Sequence, residues 1–395
     1  MPLDPLFAER LHAHRRYLID QALGDLKGRL SWMRRPAKTA AAPSAAAASA
    51  GAPSESSAPA SAPAASAPTA QSPPRTPSPR EARARHRRAA IAWDRTELRT
   101  VGTPGPDIPT TEHVVPVTGY PDVLVRIYRP DAQGLIPACL TLYGGAFRIG
   151  GIDYPTTDAA ARRRAAASGV AIVSVDYALA PEHRYPTQVE QVYAAFDWMI
   201  RNADELGIDA ERVGVAGTSA GGCLAAALTL MNRDRAGHPI RLQILEVPVV
   251  DLTGRHIDLA PTRAVGIPSI LALREMWSVR RTYLGRTSRA REPYASPLLA
   301  GGHAGLPPAL ILTAEYDPLR GEGAAYAAAL RAAGVEASAV RYLGVTHDIP
   351  IFTGALAAAR RWEAEVVGAL RTLHGAQQSS LQQHQSQRHA AEMTS

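Results

Sequence analysis

The stretch that decides the fold is RVGVAGTSAGGCLAAALTL, residues 212–230. It opens with a β-rich run, 212–216, and closes with an Ala/Leu-rich helical run. Between them lies Gly217-Thr218-Ser219-Ala220-Gly221, a G-x-S-x-G sequence at a strand-to-helix turn. The backbone doubles back so tightly there that only glycine or another very small residue fits two positions before and after the serine. The stretch therefore predicts that Ser219 is a nucleophile at the start of a helix.

The start of a helix suits this chemistry. Its free backbone N–H groups and its dipole favour negative charge that develops beside Ser219. The amide of Ala220 is therefore predicted to donate to an oxyanion. The alternative is a glycine-rich turn without this chemistry, such as a phosphate-binding loop. That loop would contain a lysine or the G-x-G-x-x-G spacing, and GTSAGG at 217–222 has neither.

On both sides of this turn, β-rich runs alternate with helical ones. This order predicts an α/β fold, with a mainly parallel sheet and helices on both faces. The apolar run AIVSV at 171–175 is typical of a strand buried on both faces. The predicted strands are 123–128, 138–142, 171–175, 212–216, 242–247, 309–313 and 338–342, and the predicted helices are 156–168, 188–204, 220–231, 319–333 and 354–373.

A second glycine-rich segment, LYGGAF at 142–147, follows the predicted strand 138–142. Enzymes with a serine at such a turn place further backbone donors to the oxyanion in a loop at this position. Gly144, Gly145 and Ala146 are the candidates, together with Ala220, because small residues let the backbone approach a substrate carbonyl. Taken alone, the segment fits a plain glycine turn equally well. Its pairing with the turn at Ser219 favours the oxyanion hole.

The acid and the base that activate such a serine follow it in that order along the chain. ALILTAEYDPLRGEG, residues 309–323, places Asp317 just past a predicted strand, with Glu315 as the back-up acid. A turn-forming aspartate before proline is the structural alternative for Asp317.

The base is predicted from ASAVRYLGVTHDIP, residues 337–350, which places His347 in the loop after the next strand. His256 and His303 precede the acid and so lack the required order, and His374 ends the last predicted helix instead of lying in a loop after a strand. In the predicted reaction His347 removes the proton of Ser219, and Asp317 orients the imidazole and stabilises its charged form.

Composition excludes several other classes of protein. The chain has 395 residues and a net charge of +7, but six arginines crowd into residues 75–88 and no nucleic-acid-binding module accompanies them. The two cysteines, Cys139 and Cys223, lie in apolar runs and predict small buried side chains, with no disulfide and no metal site. No stretch approaches 18 apolar residues, so no membrane span is predicted. The N-terminus lacks the pattern of a secretory signal, and the chain is predicted to be cytoplasmic.

Composition also divides the chain into four segments. Residues 1–35 have apolar positions at helical spacing and predict an amphipathic helix that packs on its own domain. Residues 36–80 are almost entirely Ala, Ser and Pro, and predict a disordered linker. Residues 81–374 carry the globular pattern, and 375–395 predict a Gln-rich disordered tail. One further hypothesis is that residues 36–88 tether the protein to an acidic surface.

Residues 120–372 resemble the hormone-sensitive-lipase-like family of α/β hydrolases, in its bacterial esterase branch. The resemblance rests on YGGAFRIGG, VDYALAPEHRYP, GTSAGG, DPLRGEG and the THD loop, in that order. It implies the α/β-hydrolase fold, with residues 1–35 as an N-terminal helical cap. The sequence departs from the common family pattern at Tyr143, where His is usual, and at Ala146, where a third Gly is usual. A tyrosine at 143 would be a hydrogen-bonding wall beside the oxyanion hole.

The resemblance further implies hydrolysis of short- to medium-chain carboxylic esters, small-molecule acyl ester substrates, no cofactor and, in many members, a homodimer. Leu271, Met276 and Trp277 would then line an acyl pocket, although ordinary core is the favoured interpretation of these residues. Two alternatives stay open. One is a small-molecule receptor that keeps the fold with little catalysis, and the other is an acyltransferase or amidase with the same triad, since pocket shape sets the leaving group and the acceptor.

Overall fold

The computed structural model describes residues 2–11 and 78–375. The rest of the predicted cap segment, most of the predicted linker and the predicted tail beyond residue 375 lie outside these ranges. The backbone divides into two compact units, Met1–Phe7 with Arg83–Ser395, and Ala8–Ala82. Of the second unit, only 8–11 and 78–82 are described, and they are helical at 8–11 and from residue 79 onwards.

Helices and strands alternate along the described chain. Residues 5–11 are helical and are named α1. The remaining helices are α2 (Pro79–Thr100), α3 (Pro155–Ser168), α4 (Thr187–Arg201), α5 (Ala220–Asp234), α6 (Ala260–Ala264), α7 (Ser269–Leu284), α8 (Arg320–Ala332) and α9 (Ala357–Arg371). The strands are β1 (Thr110–Val115), β2 (Val123–Tyr128), β3 (Ile136–Leu142), β4 (Ala171–Asp176), β5 (Ile208–Thr218), β6 (Leu242–Glu246), β7 (Ala309–Tyr316) and β8 (Ala337–Thr346).

The strands form one eight-stranded sheet in the order β1-β2-β4-β3-β5-β6-β7-β8. β2 is antiparallel to both β1 and β4, and all other neighbours are parallel. The predicted mainly parallel α/β sheet is therefore confirmed. After β3 the chain forms β4 on one side of β3, and it then returns to form β5 on the other side of β3. In open parallel sheets a site forms where the order reverses in this way, at the carboxyl ends of the strands.

Both faces of the sheet are covered, because successive side chains of a strand point to opposite faces. Along β3, Ala138 and Leu140 belong to one apolar core and Cys139 belongs to the other. Side chains of α4, α5 and α8 complete the first core, and those of α3 and α9 complete the second. Cys139 and Cys223 are both buried and free, as predicted. Within the described ranges, no helix is long and apolar enough to cross a membrane.

Four elements of the described chain are missing from the predicted helices and strands: α2, α6, α7 and β1. The buried residues of α2 are Asp94 and Glu97, so the helix has no apolar periodicity to detect. It docks through polar contacts instead: Asp94 accepts hydrogen bonds from the amide and the hydroxyl of Thr156 at 2.9 and 2.6 Å. α2 begins at Pro79, so residues 79 and 80 of the predicted linker are helical. β1 is a largely exposed edge strand, TTEHVV, and also lacks a clear apolar pattern.

Candidate active site

Ser219 lies at the sharp turn between β5 and α5. Its backbone has φ 55° and ψ −113°, a conformation that L-residues rarely adopt. A Cβ atom at Gly217 would lie 2.1 Å from the carbonyl oxygen of Gly221, and a Cβ atom at Gly221 would lie 2.1 Å from that of Leu142. Both contacts are with backbone, which cannot move aside. The two glycines are therefore required for the turn that presents Ser219.

The structure brings together the three side chains that were predicted as nucleophile, acid and base. Ser219 follows β5, Asp317 follows β7 and His347 follows β8. Nε2 of His347 lies 3.0 Å from Oγ of Ser219, and Nδ1 lies 2.8 Å from Oδ2 of Asp317. About a third of the His347 side chain, 33%, is exposed, whereas Ser219 is 9% exposed. This is the geometry that a serine–histidine–aspartate triad needs.

Asp317 has two structural tasks at once. Its carboxylate is almost fully buried, and Oδ1 accepts a hydrogen bond from the amide of Leu319 at 2.9 Å while Oδ2 faces His347. The two interpretations of Asp317 are therefore compatible, because one carboxylate oxygen accepts the hydrogen bond of the turn and the other contacts His347. The back-up acid, Glu315, points elsewhere, because its Oε2 accepts a hydrogen bond from the amide of Gly344 at 2.7 Å.

The pKa of His347 depends on the balance of two effects. Burial lowers it, but the charge of Asp317 and the hydrogen bond to that carboxylate outweigh burial and raise the pKa to about 9. The neighbouring Asp348 contributes in the same direction. The neutral imidazole, which is the form that can accept a proton from Ser219, therefore increases as the pH approaches and passes 9.

A histidine–carboxylate pair alone does not identify the base. Elsewhere in the described ranges His238 lies 2.8 Å from Asp197, and His256 lies 2.8 Å from Asp251. Neither of these two imidazoles has a serine hydroxyl as its second partner among the described residues. The contact with Ser219 distinguishes His347 from His238 and His256.

The predicted oxyanion loop passes directly beside the nucleophile. A Cβ atom at Gly144 would lie 3.4 Å from Cβ of Ser219. Among the described residues, the amides of Gly144, Gly145, Ala146 and Ala220 donate no hydrogen bond to a protein acceptor. Of these four residues, Ala220 is buried and the other three are half-buried. Gly144 thus lies beside Ser219 and Ala220 directly follows it, and the N–H groups of all four residues lack a protein acceptor, as donors to an oxyanion would.

Tyr143 does not form the wall beside the oxyanion hole that the resemblance suggested. Its hydroxyl donates to the carbonyl of Tyr177 at 2.8 Å, and the hydroxyl of Tyr177 donates back to the carbonyl of Tyr143 at 2.7 Å. The two rings are stacked, with centroids 4.2 Å apart. Tyr143 therefore fixes the start of the oxyanion loop from inside the protein.

A buried carboxylate behind the nucleophile was missed by the sequence analysis. Glu246, at the end of β6, is paired with both terminal nitrogens of Arg164 at 2.7 and 2.9 Å and accepts a hydrogen bond from Trp362 at 2.6 Å. It also accepts from the hydroxyl of Thr218 at 3.2 Å, and its carbonyl accepts from the amide of Ser219 at 2.8 Å. The one available signal was a lone Glu within the apolar run LQILEVPVV. Through its contacts with Thr218 and Ser219, Glu246 holds the backbone of the nucleophile turn in position.

Glu322 is a second buried carboxylate that the sequence analysis missed. It lies in the first turn of α8, and its Oε2 accepts hydrogen bonds from the amides of Val250 and Asp251 at 2.7 and 2.8 Å. Burial raises the pKa of Glu322 to about 8. The hydrogen bonds from the two amides lower the pKa, and the charges of Asp251 and Asp317 raise it. Glu322 therefore carries a proton at neutral pH.

We expect this proton to make the stability of the fold depend on pH. The folded chain holds it up to about pH 8, whereas an unfolded glutamate releases it near 4.5. The contribution of Glu322 to the free energy of unfolding is therefore full below 4.5 and is lost as the pH rises to about 8. Glu322→Gln removes the titration, so the stability of this variant should fall less over the same interval. Urea unfolding across the interval measures the difference, with exposed Glu205→Gln as the control that should follow the wild type. Parallel curves for Glu322→Gln and the wild type would contradict the raised pKa.

Two of the proposed acyl-pocket residues are not in the core. Leu271 and Trp277 on α7 are 42% and 43% exposed, so the favoured interpretation as ordinary core is wrong for both. In residues 2–11 and 78–375, no group of three His, Cys, Asp or Glu side chains is arranged to hold a metal ion.

Comparisons with known proteins show which family this chain is similar to. The profile of the family described as alpha/beta hydrolase fold matches residues 139–351. Carboxylesterase NlhH of Mycobacterium tuberculosis is 35% identical over 288 residues, which cover 71% of this chain and 89% of the relative. The crystal structure of EstE1, a thermostable carboxylesterase from a metagenomic library, superposes with a TM-score of 0.67 at 37% identity and covers 74% of this chain and 97% of its own. A hyperthermophilic esterase from the archaeon Pyrobaculum calidifontis has a TM-score of 0.68 at 35% identity, with 74% and 94% covered.

Proposed function

Because this chain belongs to the α/β-hydrolase family, in its hormone-sensitive-lipase-like branch, we propose that it is a serine carboxylesterase that hydrolyses short- to medium-chain acyl esters. The observation that carries the proposal is the continuous contact from Ser219 through His347 to Asp317, at 3.0 and 2.8 Å. The relatives and structures with which it shares about a third of its residues are carboxylesterases and esterases, and this supports the same class of substrate.

The first half-reaction forms an acyl-enzyme. Oγ of Ser219 attacks the carbonyl carbon of the ester, and its proton passes to Nε2 of His347. The carbonyl π electrons move to oxygen, and the amides of Gly145, Ala146 and Ala220 stabilise the resulting charge. As the tetrahedral intermediate collapses, the bond to the alkoxy oxygen breaks, and the proton on His347 goes to the departing alcohol. Asp317 keeps Nδ1 protonated throughout, so that Nε2 is the atom that exchanges the proton.

The second half-reaction releases the acid. Water attacks the acyl carbon, and His347 takes the proton that water loses. A second oxyanion forms at the same amides. When it collapses, Oγ of Ser219 leaves the acyl carbon and recovers a proton from His347, so that the enzyme returns to its starting state.

The contact between His347 and Ser219 favours an enzyme over a receptor of the same fold, because a receptor does not need a base within reach of the serine. Acyl transfer or amide hydrolysis would use the same atoms and differs in acceptor and leaving group. The cytoplasmic location and the homodimer stay predictions.

Hydrolysis of p-nitrophenyl acetate, butyrate, octanoate and palmitate tests the proposed substrate class. We expect kcat/KM to be highest for the acetate to octanoate range and to be lower by about 10-fold or more for palmitate, because an acyl site that fits short to medium chains would not hold the extra methylenes of the long one. A preference for palmitate in emulsion would instead indicate a lipase. Absence of turnover for all four esters would overturn the proposal and favour the receptor alternative.

A further inference from the structure

The oxyanion loop contains three consecutive residues with positive φ. Gly145, Ala146 and Phe147 have φ values of 136°, 54° and 60°. Glycine adopts this region readily, but alanine and phenylalanine do so at a cost in free energy. Strained residues of this kind persist only where surrounding contacts hold them in place. The contacts that hold Ala146 and Phe147 therefore determine whether the predicted oxyanion donors point towards the substrate.

Phe147 is held through its backbone and its side chain. Its carbonyl accepts a hydrogen bond from the amide of Ala180 at 2.8 Å, and its side chain contacts helix α7. Its ring stacks face to face on Tyr283, with centroids 3.7 Å apart and an angle of 5° between the planes. Both side chains are fully buried. The carbonyl of Tyr283 accepts a hydrogen bond from the amide of Tyr185 at 3.0 Å, so the end of α7 is itself tied to the protein body. The hydroxyl of Tyr283 has no hydrogen-bond partner among the described residues, so the ring rather than the hydroxyl makes the contact.

Arg148, the next residue of the loop, makes a second contact with the same helix. Its guanidinium donates to the hydroxyl of Ser278 at 3.2 Å and forms an ion pair with Glu275. Its carbonyl accepts a hydrogen bond from Nε of Arg87 at 3.0 Å. Glu275, Ser278 and Tyr283 follow one another along α7, so the helix holds the loop at several points.

We propose that α7 is a positioning element for the oxyanion hole, which is complete only while Tyr283 is stacked on Phe147 and Arg148 is bound to Glu275 and Ser278. This inference rests on the proposed esterase function and adds a specific task to three residues outside the triad. α7 belongs to the segment between β6 and β7, the same segment that carries the exposed side chains of Leu271 and Trp277. A displacement of α7 would release the strained loop and remove oxyanion stabilisation without moving Ser219, His347 or Asp317.

The positioning role predicts a loss in kcat rather than in substrate affinity. Loss of one oxyanion donor typically lowers the rate by about 10²–10³-fold. Tyr283→Leu keeps the donor amides in the chain but removes the ring that fixes the orientation of their loop. For this variant we expect kcat for p-nitrophenyl butyrate to fall by about 10- to 100-fold and KM to change by less than about 2-fold. Tyr283→Phe keeps the ring and should restore kcat to within about 2-fold of the wild type.

The Ki of a tetrahedral inhibitor measures oxyanion stabilisation and does not change with a general loss of stability. Phenylboronic acid adds to a serine Oγ and places a boronate oxygen where the oxyanion develops, so its Ki for Tyr283→Leu should rise by the same factor as kcat falls. Tyr326→Leu is the matched control, since Tyr326 is also a fully buried tyrosine whose hydroxyl has no partner among the described residues, and it lies on α8. Tyr326→Leu should lower thermal stability by a similar amount and leave kcat and Ki near the wild-type values.

The double variant Glu275→Gln, Ser278→Ala tests the inference even where Tyr283→Leu does not fold. It removes the charge of Glu275 that pairs with Arg148 and the hydroxyl of Ser278 that accepts from it, and it buries no new group. We expect a kcat about 3- to 10-fold lower, a matching rise in Ki for phenylboronic acid and an unchanged melting temperature. Wild-type kcat and Ki in the double variant, and in Tyr283→Leu where that variant folds, would overturn the inference. An inactive wild type would instead overturn the proposed function, so the two failures are distinguishable.

Discussion

Ser219→Ala is expected to lower kcat for p-nitrophenyl butyrate by about 10⁵-fold or more. The methyl group cannot attack the carbonyl, and no other hydroxyl among the described residues lies within hydrogen-bonding distance of His347. A residual rate above that in water is expected, because the oxyanion amides remain and still bind the ester. Steady-state rates at high enzyme concentration, with burst-phase acylation of the wild type for comparison, measure the effect.

Ser168→Ala is the matched control for this variant. Ser168 is a buried serine at the end of α3 that donates to the carbonyl of Arg164 at 2.6 Å. Its loss should leave kcat within about 2-fold of the wild type. If Ser219→Ala kept more than about one hundredth of wild-type kcat, a different nucleophile would have to be sought.

Asp317→Asn has the second largest expected effect. An asparagine preserves the shape of the site, but it removes the charge and presents an N–H group that favours the wrong tautomer of His347. The same change in another serine hydrolase of this triad lowers kcat by about 10⁴-fold, and we expect a loss of that order.

The pH dependence gives a second, independent readout of Asp317. Because the carboxylate raises the pKa of His347 to about 9, kcat/KM of the wild type should rise with pH along a limb centred near 9. Asp317→Asn removes the main cause of the raised pKa, so the limb should move to lower pH as the overall rate falls. Glu315→Gln is the control, since Glu315 bonds to the amide of Gly344 instead of His347, and its limb should stay near that of the wild type. A limb unchanged in Asp317→Asn would show that another carboxylate orients the base.

The parts of the fold that could be predicted are those with local physical signals. Strands buried on both faces are continuous apolar runs, and the turn at Ser219 is so tight that it fixes glycine at 217 and 221. The order of acid and base then follows from the order of strands. For this reason the parallel sheet was predicted from the sequence, and the three triad candidates meet in the structure.

The parts that could not be predicted depend on contacts between distant residues. α2 has buried acidic residues and no apolar stripe, so its helix gives no periodic signal. Glu246 receives its role only when Arg164 and Trp362, far apart in the chain, reach the same point behind the nucleophile. The stack of Phe147 on Tyr283 likewise joins two segments that the sequence does not connect. In each case pairing between side chains, rather than local pattern, determines the structure.

Covalent labelling with diethyl p-nitrophenyl phosphate tests the proposed nucleophile most directly. The reagent transfers its diethylphosphoryl group to an activated serine and releases p-nitrophenolate. We expect one group per chain, on the peptide that contains Ser219, with esterase activity lost in proportion to labelling. A label on any other residue, or a labelled Ser219 in an enzyme that still turns over its ester, would contradict the acyl-enzyme mechanism.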